Sequence, residues 1–356
     1  MNNLKIFAAV VVIVAVHFIV TAPPAWAQQA HVDRTHTAAV ADTKPVTWDT
    51  FVRAESDKYM KSYVNIGGFG KFFNIRRPTP IDKQKVIRMN RDTMYSFGVF
   101  DLTSPIIITK PETGDRFQSM QVINQDEYVP IPVAYQPGKY TLTQGNAGTR
   151  YVFVVVRTFV NAADPADIKK VNAIQDQIKV EQASKGKFEI PNWDQRSQDR
   201  LRDAINVLAA TLKNTNQSFG PKGEVHPIAH LLGAAYGWGG NPPQDAIYLN
   251  FVPEINDGKT PYMLTVKDVP VDGFWSISLY NGKGFFQKNP YNAYSINNIT
   301  AKKNEDGSVT IHFGGDPKLP NYLAIMNGWN YVVRLYRPHK KVLDGKWKFP
   351  SPQPVN

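Results

Sequence analysis

Residues 86–102 read VIRMNRDTMYSFGVFDL, with Arg88, Asn90, Arg91, Asp92, Thr93, Tyr95 and Ser96 set between apolar residues on both sides. If the segment is extended, Arg88, Asn90, Asp92 and Met94 share one face, and Met89, Arg91, Thr93 and Tyr95 share the other. Such a face could bind a polar ligand, the guanidinium holding an acid and the amide and carboxylate holding hydroxyls. Asp92 could also serve as a general base, with Arg88 or Tyr95 as electrophilic support. The alternative is a local Asn-Arg-Asp turn, in which Asp92 accepts backbone N–H groups and Arg88 pairs with Glu55 or Asp92.

Other side chains invite the same question. Glu55 lies on an apolar helical stripe between Phe51 and Tyr59. A carboxylate there either reaches solvent or is buried and paired, and it is a second candidate base. His226 and His230 in EVHPIAH stand four apart, so one helical face could offer both to a metal. A metalloprotease needs Glu directly after the first His, and Pro227 stands there instead, so His226 also fits a helix cap and His230 a packed core residue. His312 is a remote third candidate ligand or a solvent-facing strand residue. In DGFWSISLYN, Trp275, Ile277 and Leu279 form a core face. Phe274, Ser276, Ser278 and Tyr280 either line a cavity or form a half-exposed face. Arg334, flanked by Val333 and Leu335, is a ligand hook if it points inward. No G-x-S-x-G elbow is present, and GGFG at residues 67–70 lacks a phosphate-loop lysine.

The elements that must position these groups follow from periodicity. Residues 47–66 read as a helix with Thr47 as its cap. Residues 84–160 read as strands: SPIIITKP is a short buried run, DRFQSMQVIN alternates, and RYVFVVVRTFV is continuous apolar sequence suited to a central strand. From Asp164-Pro165 the period becomes helical, through Ile168, Val171, Ile174 and Ile178, then Leu201, Ile205 and Leu208, then the apolar HPIAHLLGAAYGWGG. Strands return from Ala246, punctuated by Asn281-Gly282 and Asp306-Gly307 turn signals. The expected organisation is a leader over 1–27, a lead-in over 28–46, an N-terminal helix and β-sandwich over 47–160, a helical segment over 161–240, and a C-terminal sandwich over 241–356.

Bulk properties bound the function. The chain has 356 residues, enough for two domains. With 42% hydrophobic and 20% charged residues it is globular rather than disordered. It has 0 cysteines, which removes disulfides, thiolate metal sites and a cysteine nucleophile. Its net charge of +11 is scattered rather than clustered, which argues against a nucleic-acid partner. Lys5, the apolar run Ile6–Val20, and Ala25-Trp26-Ala27 compose a secretory leader with cleavage expected after Ala27.

The motifs VIRMNRDTMYSFGVFDL, GDRFQSMQVINQDEYVP and GTRYVFVVVRT resemble the N-terminal module called domain of unknown function 1254. The stretches VDGFWSISLYNGKGFFQKNPYNAYSINNITAKKNEDGSVTIHFGG and GWNYVVRLYRP resemble its usual partner, domain of unknown function 1214. The resemblance implies an exported or envelope bacterial protein with an immunoglobulin-like sandwich, a helical insert and a C-terminal jelly roll, and it implies no established reaction. Some relatives carry cysteines around GGDPKLPNY, and this chain has none there. The combined expectation is a periplasmic or secreted protein that binds a small polar or amphipathic ligand in an inter-domain cleft through Arg88, Asn90, Asp92, Tyr95 and Arg334. No cofactor, nucleic acid or lasting membrane insertion is expected. The alternatives are a hydrolase or lyase in the same cleft, with Asp92, Glu55 or Tyr95 in catalytic roles, and a structural envelope protein.

Overall fold

The structure, a computed structural model, describes residues 43–84, 87–212 and 214–355. The expected leader and most of the lead-in lie outside the described residues. Among the described residues no helix is long and apolar enough to cross a membrane. The molecule is mainly β with a helical insert: two sandwiches, each of two sheets, with helices between and against them.

The first part runs α1 (Phe51–Asn65), β1 (Phe73–Asn74), β2 (Thr93–Asp101), β3 (Ile106–Lys110), β4 (Gln118–Asn124), β5 (Gly138–Leu142) and β6 (Tyr151–Phe159). It continues through α2 (Pro165–Asp176), β7 (Lys179–Gln182), α3 (Gln195–Ala209) and α4 (Pro227–Gly237). The sheet β1-β2-β6-β4 packs on the smaller sheet β5-β3-β7. Val152, Val154 and Val156 of β6 face the sandwich interior with Ile106, Ile108 and Leu142. Tyr151, Phe153 and Val155 face the other way, against Met60 of α1. Both faces of this sheet are therefore covered, which is why β6 reads as an unbroken apolar run. The same cover buries all of β4, including the residues that alternation alone would leave outside.

Two expectations are corrected here. The segment 161–240 is not wholly helical, because β7 pairs antiparallel with β3. Ile178 and Val180 belong to the sandwich core, and the helix carrying Ile168 stops at Asp176. A two-residue alternation over four residues is easily absorbed into a preceding helical period. Thr47 does not cap α1. Thr50 holds the cap position without a side-chain cap bond, and the Thr47 hydroxyl binds Asp49. Asp164 and Pro165 do open α2, with the Asp164 carboxylate accepting from Ala166 N–H.

The second part comprises β8 (Ala246–Phe251), β9 (Tyr262–Val266), β10 (Trp275–Tyr280), β11 (Ser295–Asn297), β12 (Val309–Phe313), β13 (Tyr322–Leu323), β14 (Asn330–Tyr336) and β15 (Gln353–Pro354). They form the sheets β11-β10-β14-β8 and β13-β12-β9-β15, the eight-strand count of a jelly roll. Trp275, Ile277, Leu279, Val333 and Leu335 from the first sheet meet Leu264, Ile311 and Phe313 from the second. The core face expected of β10 is thus the observed one. Its other face, with Ser276, Ser278 and Tyr280, is equally buried because it docks on the first sandwich.

Glu55 holds the helices together. It is fully buried and is bound by Arg202 through a paired contact, with Gln198 donating to its Oε1 at 2.7 Å and Arg202 Nε donating to Oε2 at 3.0 Å. It ties α1 to α3 and does not face a cavity. Removing only the cation strands a buried charge. Arg202→Met should therefore lower unfolding stability by about 3–5 kcal/mol, and Glu55→Met with Arg202→Met should recover most of that loss. Chemical denaturation of the three variants checks this.

Candidate functional site

The polar stretch that opens the sequence is a strap laid across the C-terminal sheet. Gln84 exchanges two hydrogen bonds with the backbone of Phe286, at 2.8 and 2.9 Å. Arg88 N–H donates to Gly284 O at 2.8 Å, and the Tyr280 hydroxyl donates to Met89 O at 2.7 Å. Arg334, only 3% exposed, reaches from β14 to the same place: Nη2 donates to Arg88 O and the Tyr280 hydroxyl at 2.8 Å each, and Nη1 donates to Ser278 Oγ at 2.9 Å. Asn297 Nδ2 donates to Asp92 Oδ1 at 3.2 Å. An aromatic plug of Phe117, Phe159, Phe274 and Tyr336 closes the contact beside it, Phe274 stacking on Tyr336 at 4.3 Å.

This geometry revises the local expectations. Arg88 adopts φ 54°, in the left-handed region, and regular extension starts only at Thr93. The two-face alternation therefore fails before that residue. Arg88 pairs with neither Glu55 nor Asp92, since its Nη1 donates to Asn250 Oδ1 at 2.7 Å. Asp92 does not gather backbone donors. Its own N–H donates to Asn90 Oδ1 at 2.8 Å.

Where the strap, the helices and the C-terminal sheet diverge, they leave a cleft of about 1000 Å³. Its floor is Tyr95 of β2 and Arg157 of β6, which are direct cross-strand partners. One wall is the end of α4 and the segment after it, Tyr236 to Gly240. The other is the C-terminal sheet, with Tyr248, Asn250, Arg334 and Tyr336. Strand β8 is the edge of that sheet, so the cleft also turns its corner. There it meets an apolar arm of Leu249, Phe251, Val342, Leu343, Trp347 and Phe349.

Polar groups at the deep end are held in place by amides. The two hydrogens of Asn90 Nδ2 are shared among the hydroxyls of Tyr336 at 2.9 Å, Tyr95 at 3.3 Å and Thr93 at 3.1 Å. Asn241 Nδ2 donates to the Tyr248 hydroxyl at 2.6 Å. Arg157 Nη1 donates to Gln121 Oε1 at 2.7 Å, and Gln121 in turn donates to Gly240 O at 2.7 Å. Burial raises the Tyr336 hydroxyl well above its usual range, with Tyr248 and Tyr95 adding to the effect. Tyr248, a residue 38% exposed, is shifted in the same direction by the desolvation of its hydroxyl against the opposing charge of Arg157. Both therefore stay neutral donors at physiological pH. Burial disfavours the Arg334 charge, but its contact with the Tyr280 hydroxyl and the nearby Asp92 oppose this and the guanidinium stays protonated.

Of the residues singled out in the sequence, Arg88, Asn90, Tyr95 and Arg334 line the cleft. Asp92 lies behind that wall, 2% exposed. Burial raises its carboxyl, although Arg334, Ser276 and Asn297 oppose the shift. Neither Asp92 nor Glu55 reaches the cleft, so neither is placed as a base there, and no acidic side chain is among the lining residues. His230 is buried and stacked on Tyr128, its ring nitrogens 3.0 and 2.9 Å from Ser218 O and Asp126 O. His226 is exposed at the start of α4 and makes no side-chain cap bond. His312 contacts Pro320 O. These three histidines do not converge. Arg157, Tyr248 and Tyr336 escaped the sequence reading. The signal for Arg157 was its position as the one charge within the otherwise apolar run YVFVVV and TFV.

A two-sandwich protein with a cationic, tyrosine-lined cleft at the junction is the class that fold and site define. Residues 69–182 match the family described as Protein of unknown function (DUF1254), and residues 253–340 match Protein of unknown function (DUF1214). The chain carries one domain of each family, in that order. No curated protein matches it. Among solved structures it is similar to the VPA0106 protein from Vibrio parahaemolyticus, at 15% identity and TM-score 0.66, covering 86% of this chain and 98% of that one. An uncharacterised protein from Burkholderia cenocepacia matches at 14% identity and TM-score 0.49, over 86% of this chain and 87% of that one. The Vibrio likeness shows a shared fold.

Glu127 supports the α4 wall from below. It is 1% exposed, and its Oε1 accepts from Gly239 N–H at 3.1 Å. Burial pushes its carboxyl well above the usual range; the Gly239 N–H opposes this and Glu55 reinforces it. The folded state thus holds this proton more tightly than the unfolded chain. The resulting stability is complete below the ordinary glutamate range and is lost as pH rises through the raised value. Glu127→Gln keeps the acceptor for Gly239 and should match the natural protein at pH 4 but exceed its melting temperature at pH 8.

Proposed function

We propose that this protein binds a small amphipathic molecule in the cleft between its two sandwiches. One observation carries the reading: the cleft is continuous from a polar end, with Tyr95 and Arg157 on its floor and Arg334 and Tyr336 on its wall, to the apolar arm around β8. Pockets of this size with a few fixed polar groups and apolar walls are typical of ligand sites. The floor is preorganised, because Asn90, Asn241 and Gln121 fix its side chains before any ligand arrives. The hydrolase or lyase alternative lacks a carboxylate on the cleft wall, and so binding is the reading the geometry favours.

Trp238 and Trp347 line the cleft and report on its occupancy. Octyl compounds, titrated below their aggregation limits, should shift tryptophan emission and raise the melting temperature. Trp347→Ala should weaken them by about tenfold, equivalent to about 1.4 kcal/mol. Emission and melting that ignore every octyl compound would remove the proposal.

The protein acts outside the cytoplasm on this reading. Support comes from Lys5, the apolar run Ile6–Val20 and the Ala25-Trp26-Ala27 pattern. Mass spectrometry of protein made in a Gram-negative host should give a mature chain beginning at Gln28 in the periplasmic fraction. A chain retaining Met1 and sedimenting with membranes contradicts this.

A further inference from the structure

The deep end of the cleft is rich in donor side chains. Arg157 and Arg334 are 8% and 3% exposed, and Arg88 stands beside them. Among the described residues no carboxylate lies within salt-bridge distance of any of the three. Asp92 is the acid that acts electrostatically on Arg334, and it sits behind the wall. A buried cation without a paired anion is costly; neutral protein oxygens already bind Arg334, and a ligand anion would add the counter-charge that they do not carry.

The tyrosines point to the same conclusion independently. The hydroxyls of Tyr95, Tyr336 and Tyr248 each accept a hydrogen bond from an amide nitrogen. Among the described residues none of the three has an acceptor for its own proton. A phenol whose oxygen already accepts from an amide has its O–H left to donate to a ligand. Asn90 Nδ2 contacts both Tyr95 and Tyr336, so those two hydroxyls converge on one spot. Arg334 shares their strand face with Tyr336, two residues away, and Arg157 lies across from Tyr95 on the neighbouring strand.

Building on the cleft-binding reading, we propose that the polar end of the ligand is an oxyanion, a carboxylate or phosphate. The guanidiniums of Arg157 and Arg334 receive it together with the hydroxyls of Tyr95, Tyr248 and Tyr336. Its apolar remainder runs past the β8 edge onto Leu249, Phe251 and Trp347. Lys348 at the mouth of that arm adds a further positive charge along the approach.

Calorimetric titration of the full protein with octanoate, octyl phosphate, 1-octanol and octylammonium tests this. The tail is constant, so differences report the head. One or both acids should bind at least about tenfold tighter than 1-octanol, and octylammonium should bind weakest. Tyr336→Phe, which keeps the ring stacked on Phe274, and Arg157→Gln should each remove most of that preference while leaving 1-octanol unchanged. If Arg157→Gln fails to fold, Tyr336→Phe decides the matter alone. Equal binding of acids and alcohol, tightest binding of octylammonium, or a preference that survives both variants overturns the oxyanion assignment while leaving cleft binding intact. If none of the four binds, the cleft-binding reading itself fails.

Discussion

One buried guanidinium organises the junction of this molecule. Arg334 is placed by β14 among apolar neighbours, where an unsolvated charge would be expensive. It is tolerated because carbonyl and hydroxyl oxygens surround it: Arg88 O, Tyr280 OH and Ser278 Oγ. Two of those come from its own sheet, and the third comes from the opposite domain. The charge can therefore be satisfied only when the strap around Arg88 lies across the sheet. This makes docking of the two sandwiches a condition for burying the cation, beyond the generic gain from the Phe117, Phe159, Phe274 and Tyr336 contact.

The cleft follows from that arrangement. The strap and the aromatic plug bring the sandwiches together at one end of β14, while α1 stacks on the other part of the first sheet and carries α3 and α4 on its far side. The space between these two contacts is left open over Arg157. Gly239 and Gly240 cross it with their backbones close to the sheet. Gly239 has φ 83°, and a side chain on Gly240 would meet the Phe219 ring at 2.3 Å. Small, left-handed-tolerant residues are needed there to bring a backbone so near the floor. The wall is consequently rigid, and its chemistry is set by amides and phenols that hold one another in place.

Much of this was legible in the sequence, and the residues explain the rest. The strand patterns, the helical interlude and the polar stretch near Arg88 were all visible, because period and composition are local properties. Four of the five expected ligand contacts line the cleft for the same reason: polar groups embedded in apolar sequence need a partner somewhere. What could not be read was who the partner is. Asp92 looked as available as Asn90, yet one turn of the chain at Arg88 sends the carboxylate behind the wall toward Asn297, which lies more than two hundred residues on. Glu55 was correctly seen as a buried-and-paired alternative, but its partner Arg202 sits on a helix whose packing no local pattern reveals. Arg157 was overlooked because a strand of valines reads as core, and a single charge in it has meaning only once the sheet is known to border a cleft.

The most direct test of this account is hydrogen exchange in Arg334→Met. The side chain is matched in bulk and loses only the charge and its donors. If Arg334 holds the strap, the amides from Ile87 to Asp92 should exchange at least about tenfold faster than in the natural protein, with β6 and β12 keeping their protection. Unchanged exchange over Ile87 to Asp92, or an even loss of protection throughout both sandwiches, would contradict it.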